Sequence, residues 1–205
     1  MSRLIAFGCS YTFGHGLEDC LSKNRKAPTK PSRYAWPKVL STMMNLDCIN
    51  LGIAGASNKH IWYKALTTEY QEGDIVVFLW SHIARWCKIT DYDKVQNVGN
   101  WTGGKMGKCY YSFLQNDYDS NLDLNLRVDH ISLYLDKLGI RSYHCYAVDR
   151  ETSILDFNSA ISLKTSFHDI RGKHGLAEDK KHPDKFAHIE FADSLYKEIK
   201  ERTDE

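Results

Sequence analysis

Three short segments hold the side chains able to do chemistry. Gly8-Cys9-Ser10 ends an apolar run, Leu4 to Phe7, in a turn whose serine hydroxyl would be expected to face solvent. Asp179-Lys-Lys-His182-Pro183 presents an imidazole and a carboxylate placed to orient it from one stretch of chain. A serine hydroxyl is a poor nucleophile until a base takes its proton. The base in turn needs a partner that sets its tautomer and stabilises the imidazolium. Ser10, His182 and Asp179 are those three chemical types. The third segment, Asn50-Leu-Gly52-Ile-Ala-Gly55-Ala-Ser57-Asn58, has two glycines ahead of a helix start, where backbone N–H groups can hold an oxyanion. Each segment alone also suits an ordinary role: Ser10 as a helix N-cap, Asp179 as a solvated loop acid, His182 as the residue before a helix-opening proline, and the glycines as a tight strand-to-helix turn. Cys9 is a second nucleophile type beside Ser10, but neighbours leaving a strand point in opposite directions, so only one can face a pocket. We expect Ser10 in the pocket and Cys9 packed beneath it.

These residues need a scaffold that brings distant segments together, and the hydrophobic pattern supplies one. Strands are expected at Leu4 to Phe7, Leu46 to Leu51, Asp74 to Trp80 and Ile140 to Val148, each a short apolar run. Helices are expected at Tyr34 to Met44 with Pro37 in the first turn, at Ser57 to Tyr70 with Ser57 as N-cap, at Leu122 to Leu138 closed by Gly139, and from about Pro183 to about Lys200. Leu122, Leu126, Ile131, Leu135 and Leu138 would mark the inner face of the third helix. Phe186, Ile189, Phe191, Leu195 and Ile199 would mark that of the last. Ser153 to Phe157 is ambiguous, and Ser162 to Asp179 reads as a loop on the active face. Between Lys88 and Asp119 the pattern dissolves into Gly, Asn, Tyr and Trp, too long for a simple connection and suited to a lid or binding surface. Alternating strands and helices imply an α/β domain with a mainly parallel sheet covered on both faces.

The bulk numbers narrow the function classes. At 205 residues the chain fits one domain. With 27 Lys+Arg against 26 Asp+Glu, a net charge of +1, it has no basic field for a nucleic-acid backbone. No apolar run approaches a membrane span, and Met-Ser-Arg leads straight into the first strand without a charged-then-apolar leader, so a cytoplasmic protein is expected. The six cysteines are scattered singly, as free thiols would be. The histidines, His168, His174 and His188 included, match no helix-borne metal pair, and no metal is expected.

In this order the three segments resemble the SGNH/GDSL hydrolase family of esterases and acyl hydrolases. Gly8-Cys9-Ser10 is similar to the first block, Gly-Asp-Ser, with Cys in place of Asp, and Tyr-Thr-Phe-Gly14 continues it. Asn50-x-Gly52-x-x-Gly55 is similar to the second block, Asp179-Lys-Lys-His182-Pro183 to the last, and Tyr34-Ala-Trp-Pro-Lys-Val-Leu40 to the first-helix segment. The resemblance implies a three-layer α/β/α, flavodoxin-like fold with a mainly parallel sheet of about five strands. It implies Ser10 as nucleophile, His182 as base, Asp179 as its partner, and the Ser10 and Gly55 amides as oxyanion donors, with no cofactor. The third block departs from the family. Where the family ends its third strand in Gly-x-Asn-Asp, this chain has Trp80-Ser81-His82-Ile-Ala-Arg85, with no Asn to donate. Ser81, His82 and Arg85 are the candidate replacements, each able to donate a hydrogen bond. The expected substrate is an ester, with an O-acetyl group on a glycan first, because Trp86, Trp101, Tyr110 and Tyr111 suit stacking on sugar rings. The same aromatics would equally serve as a small core under a long loop. A weakened glycan-binding module and an O-acyltransferase are the alternative readings.

Overall fold

Leu4 to Phe7 and Val76 to Trp80 are apolar at every position because both faces of their strands are covered. The computed structural model describes residues 2–20, 30–147 and 160–203, and the Ser153 to Phe157 segment lies outside them. The elements in chain order are β1 (Arg3–Gly8), α1 (Ser10–Phe13), α2 (Trp36–Met43), β2 (Asp47–Asn50), α3 (Asn58–Leu66), β3 (Ile75–Trp80), β4 (Trp86–Asp91), β5 (Lys94–Val98), α4 (Gly104–Cys109), a π-helical turn (Tyr110–Leu114), α5 (Asp117–Lys137), β6 (Arg141–Tyr146), β7 (Ile161–Ser166), α6 (Phe167–Arg171) and α7 (Lys185–Thr203). Five strands form one parallel sheet in the order β2-β1-β3-β6-β7. Successive side chains on a strand point to opposite faces. Leu4, Ala6, Val77 and Leu79 therefore pack with Trp36 and Leu40 of α2 and Phe191 and Leu195 of α7. Ile5, Phe7, Val76, Phe78 and Trp80 pack with Ile61 of α3 and Val128, Ile131 and Leu135 of α5. The result is a three-layer α/β/α fold with a parallel sheet.

The strand order positions the site. From β1 the chain moves outward to β2, then crosses back over β1 to β3, so the two crossovers part between β1 and β3. In open α/β sheets ligands bind outside the carboxyl ends of the strands at such a switch point. The chain leaving β1 carries Ser10 at the start of α1, and the loops leaving β2 and β3 carry Gly55 and Arg85.

Several details differ from the sequence expectation. Ser162 to Asp179 is not one loop: it contains β7, the edge strand, and α6. Its sequence, Ile-Ser-Leu-Lys-Thr-Ser, lacks an apolar run because one side of β7 faces no further strand. The Lys164 and Thr165 N–H groups donate instead to the Glu198 carboxylate of α7, at 2.7 and 2.8 Å. The 88–119 insertion is likewise ordered. β4 and β5 form an antiparallel hairpin beside the main sheet, followed by α4 and the π-helical turn. On α5 the inner face is Leu124, Val128, Ile131 and Leu135, while Leu126 and Leu138 are exposed. On α7 the buried set is Ala187, His188, Phe191, Ala192, Leu195 and Ile199, with Phe186 and Ile189 outside. All six cysteines are free thiols, and no helix among the described residues is long and apolar enough to cross a membrane.

Candidate active site

Ser10 is the first residue of α1, and the N-cap position belongs to Cys9, whose side chain makes no capping bond. Capping therefore does not account for the serine. Cys9 is 1% exposed and packs in the core under α3 and α5, while Ser10 lines a cavity of about 730 Å³. The strand-to-helix turn is tight. A Cβ on Gly8 would sit 2.0 Å from Thr12 Oγ1, so only glycine lets α1 start there. As opening residues of a helix, Ser10 and Tyr11 have N–H groups without intrahelical acceptors.

His182 lines the same cavity, in a loop that α7 follows. The helix starts at Lys185, and Asp184 caps it by accepting from the Phe186 and Ala187 N–H groups, each at 3.0 Å. Pro183 thus precedes the helix instead of opening it. The loop is closed by the Ala177 N–H donating to the His182 carbonyl at 2.8 Å, and Lys180 takes a left-handed conformation at φ 57°. This curl turns the Asp179 carboxylate back on the imidazole. Oδ2 meets His182 Nδ1 at 2.5 Å, and Oδ1 accepts from the Lys181 and His182 N–H groups at 2.9 and 3.0 Å. With Nδ1–H assigned as the donor to Asp179, the Nε2 lone pair is left free to take a proton. Burial opposes ionisation of Asp179, but the bonds from His182 and Lys181 outweigh it and hold the carboxyl below its usual range. Burial lowers His182, Asp179 opposes, and the neighbouring His15 and Arg85 add to the lowering, so the imidazole is neutral at pH 7.

The second segment is locked onto α1. Asn50 Nδ2 donates to the Thr12 carbonyl at 2.7 Å, and its Oδ1 accepts from Gly52 N–H at 2.9 Å. A Cβ on Gly52 would lie 2.4 Å from the Phe13 nitrogen, so the loop can lie against α1 only with glycine there. Gly55, at φ 76°, lines the cavity facing the Trp101 ring. Ser57 caps α3, accepting from His60 N–H at 3.2 Å. Ser10, Gly55, Asp179 and His182, read from three separate segments, therefore open on one cavity.

No protein-family model matches the sequence, and no curated protein matches it. Solved structures do. A G-D-S-L family lipolytic protein from Desulfitobacterium hafniense DCB-2 is 11% identical with a TM-score of 0.56, over 95% of this chain and 98% of that one. An acetyl xylan esterase from the rumen bacterium Butyrivibrio proteoclasticus is 10% identical with a TM-score of 0.61, over 98% of this chain and 64% of that one. A family two carbohydrate esterase from Clostridium thermocellum, solved with cellohexaose, is 13% identical with a TM-score of 0.57, over 98% of this chain and 64% of that one. The chain has an SGNH hydrolase-like fold. It spans less than two thirds of the two carbohydrate esterases.

Within this SGNH-like fold the third block is rebuilt. Asn58, from the start of α3, accepts from the Ser81 N–H at 2.7 Å and donates to its carbonyl at 3.1 Å. With both its backbone polar groups on Asn58, Ser81 does not line the cavity. His82 does not reach it either. Its side chain is exposed, and its Nδ1 accepts from Ala84 N–H at 3.2 Å. A turn closed by Arg85 N–H on the His82 carbonyl, at 3.2 Å, swings the chain back, so of the three candidate replacements only Arg85 lines the cavity.

The aromatics divide in the same way. Trp101 lines the Ser10 cavity, whereas Trp86 and Tyr110 stack at 5.6 Å beside a second cavity of about 310 Å³. Tyr111 packs edge-on against Tyr110 and donates to the Ala84 carbonyl. These three form a small cluster under the insertion. Sequence reading missed His15, Tyr11, Asn100 and Lys181, all on the cavity wall. Tyr11 and His15 follow Ser10 closely enough to be inferred from the chain, but nothing local marks Asn100.

One grouping differs from the expectation that the histidines form no metal set. His15, Asp179 and His182 each offer a ligand atom within 4.8 Å of the others. His15 Nδ1 is buried without a partner, but Asp179 is committed to His182. The other histidines lie elsewhere. His174 pairs with Glu190 at 2.5 Å, and His188 is wholly buried, accepting from Trp36 N–H at 3.3 Å.

Proposed function

We propose that this protein is a serine hydrolase that cleaves an ester through Ser10, His182 and Asp179. The observation that carries this reading is that a serine at a helix start and an Asp-oriented neutral imidazole open on one cavity at the sheet's switch point. Ser10 Oγ attacks the acyl carbonyl as His182 Nε2 takes its proton, and Asp179 stabilises the resulting imidazolium. The negative charge on the former carbonyl oxygen is met by the Ser10 and Gly55 N–H groups. His182 then returns the proton to the departing alcohol. Water, deprotonated by the same imidazole, releases the acid from the acyl-enzyme and restores Ser10. No step requires a cofactor.

The substrate class we favour is an acetyl ester on a sugar. Trp101 is half exposed at the cavity and has the flat apolar surface that stacks on sugar rings. Two of the structures similar in fold are a carbohydrate esterase and an acetyl xylan esterase. The test is turnover of p-nitrophenyl acetate by the wild-type protein and by Ser10→Ala, with fluorophosphonate labelling of the same pair. We expect turnover and labelling in the wild type and neither in the variant. Equal background rates in both proteins would remove the proposal.

A further inference from the structure

Arg85 is held in the Ser10 cavity more firmly than a surface arginine needs to be. Its guanidinium lies over the Trp101 ring, 4.9 Å from the centroid. Its Nη1 donates to Ser81 Oγ at 2.8 Å and, at the limit of a hydrogen bond, to the Ala56 carbonyl at 3.5 Å. Ser81 is itself fixed by the two bonds to Asn58. These contacts use one nitrogen. Among the described residues Nε and Nη2 have no hydrogen-bond partner, and no carboxylate lies within ion-pair distance of Arg85. The charge of the cavity wall is lopsided. Arg85 and Lys181 line it, and the one carboxylate among the described lining residues, Asp179, is spent on His182 and two N–H groups.

A guanidinium partly withdrawn from water and lacking a counter-ion is electrostatically incomplete. An arginine serving only to tie the β3 turn to the Ala56 loop would be expected to spend its outer donors on protein acceptors. Arg85 also borders the second cavity, yet the carboxylates there, Asp119 and Asp123, form no ion pair with it, so the Nε–Nη2 edge has no partner among the described residues, and two parallel N–H groups on one edge match the two oxygens of a carboxylate. We propose that Arg85 binds a carboxylate carried by the substrate, so that the preferred ester is an acidic one, such as an acetylated sugar acid. This rests on the reading of the cavity as an ester-cleaving site. Trp101 then has two tasks: it braces the guanidinium from one side and offers its remaining surface to the sugar.

The test uses a matched pair, phenyl acetate and 3-acetoxybenzoate, which differ by one carboxylate away from the ester. For the wild type, Arg85→Met and Arg85→Lys, kcat/KM is measured on both, with circular dichroism confirming the fold. The acidic-to-neutral ratio should fall roughly 10- to 150-fold in Arg85→Met, the range for hydrogen bonds to a charged group, and be partly restored in Arg85→Lys. In the wild type it should also shrink as ionic strength rises. Salt screens Lys181 as well as Arg85, so if Arg85→Met does not fold, Arg85→Gln carries the substitution arm. A ratio unchanged by substitution, or by salt in the wild type, overturns the proposal. If the wild type turns over neither ester, calorimetric titration of the same two compounds separates the readings. Tighter binding of 3-acetoxybenzoate, lost in the Arg85 variants, would uphold the carboxylate site while the hydrolase reading fell. Equal binding of both, or of neither, would overturn it.

Discussion

Gly16 offers the sharpest perturbation of the Asp179–His182 pair, because it touches the pair without belonging to it. It has φ 91°, and a Cβ built there would lie 2.6 Å from Asp179 Cγ and 2.7 Å from each carboxylate oxygen. Gly16→Ala therefore strains the backbone and pushes on the carboxylate at once. The backbone part amounts to about 1–2 kcal/mol of stability. The second part displaces Asp179 from Nδ1. Losing a hydrogen bond to a charged group is worth about 1.5–3 kcal/mol, which applied to the transition state lowers kcat/KM roughly 10- to 150-fold. Gly139→Ala is the control. Gly139 also has positive φ, 69°, but nothing lies within 4 Å of a Cβ there and it follows α5. It should lose similar stability with no change in kcat/KM. Urea unfolding gives the first quantity and p-nitrophenyl acetate hydrolysis the second. A folded Gly16→Ala protein with wild-type kcat/KM would refute the view that Asp179 acts by holding His182.

Two pH dependences follow from the same structure. His182 acts as a base only when neutral, and its pKa is lowered by burial with His15 and Arg85 assisting, so kcat/KM should rise with pH through a midpoint below about 6.5. His15 is one of the neighbours that lower His182, so His15→Gln should move that midpoint upward; a downward move in the pH–rate profile would contradict the assignment. Stability should be acid-sensitive for a separate reason. His144 and His188 are buried and pushed down to about 3. Above about 6.5 both are neutral folded or unfolded. Between there and about 3 only the unfolded chain takes the protons, so stability falls as pH falls, by about 1.4 kcal/mol per pH unit for each. His144 accepts from Trp80 Nε1 at 3.0 Å, and its Nε2–H meets Ser132 Oγ at 2.9 Å, which leaves no place for a second proton. His144→Gln should reduce the slope of unfolding free energy between pH 6 and pH 4, measured by urea titration; an unchanged slope would contradict this account.

The elements that two layers of helices bury were legible in the chain. β1 and β3 show as unbroken apolar runs, and Ser57 marks the start of α3 by its own capping bond. β7 and α6 were not, since β7 is an edge strand whose N–H groups are satisfied by Glu198, a residue more than thirty positions away. The apolar faces of α5 and α7 were partly misassigned for a related reason. Both helices carry apolar residues around much of their circumference, and only the position of the sheet selects Leu124 over Leu126 or His188 over Ile189.

For the site, the sequence alone identified the types and order of the residues: Ser10 in a glycine turn, Gly52 and Gly55 before a helix, Asp179 three positions ahead of His182. Those are local patterns, set by backbone sterics and by the reach of a side chain across one turn. Tertiary structure decided which residue stands in the third block. Ser81, His82 and Arg85 are equally good donors on paper, and a pair of hydrogen bonds from Asn58, far along the chain, pins Ser81 and turns Arg85 into the cavity. It also brought Trp101 out of the insertion and sent Trp86, Tyr110 and Tyr111 to a neighbouring cluster. A short segment encodes what its residues can do, but which cavity they face is settled by contacts with residues the segment does not contain.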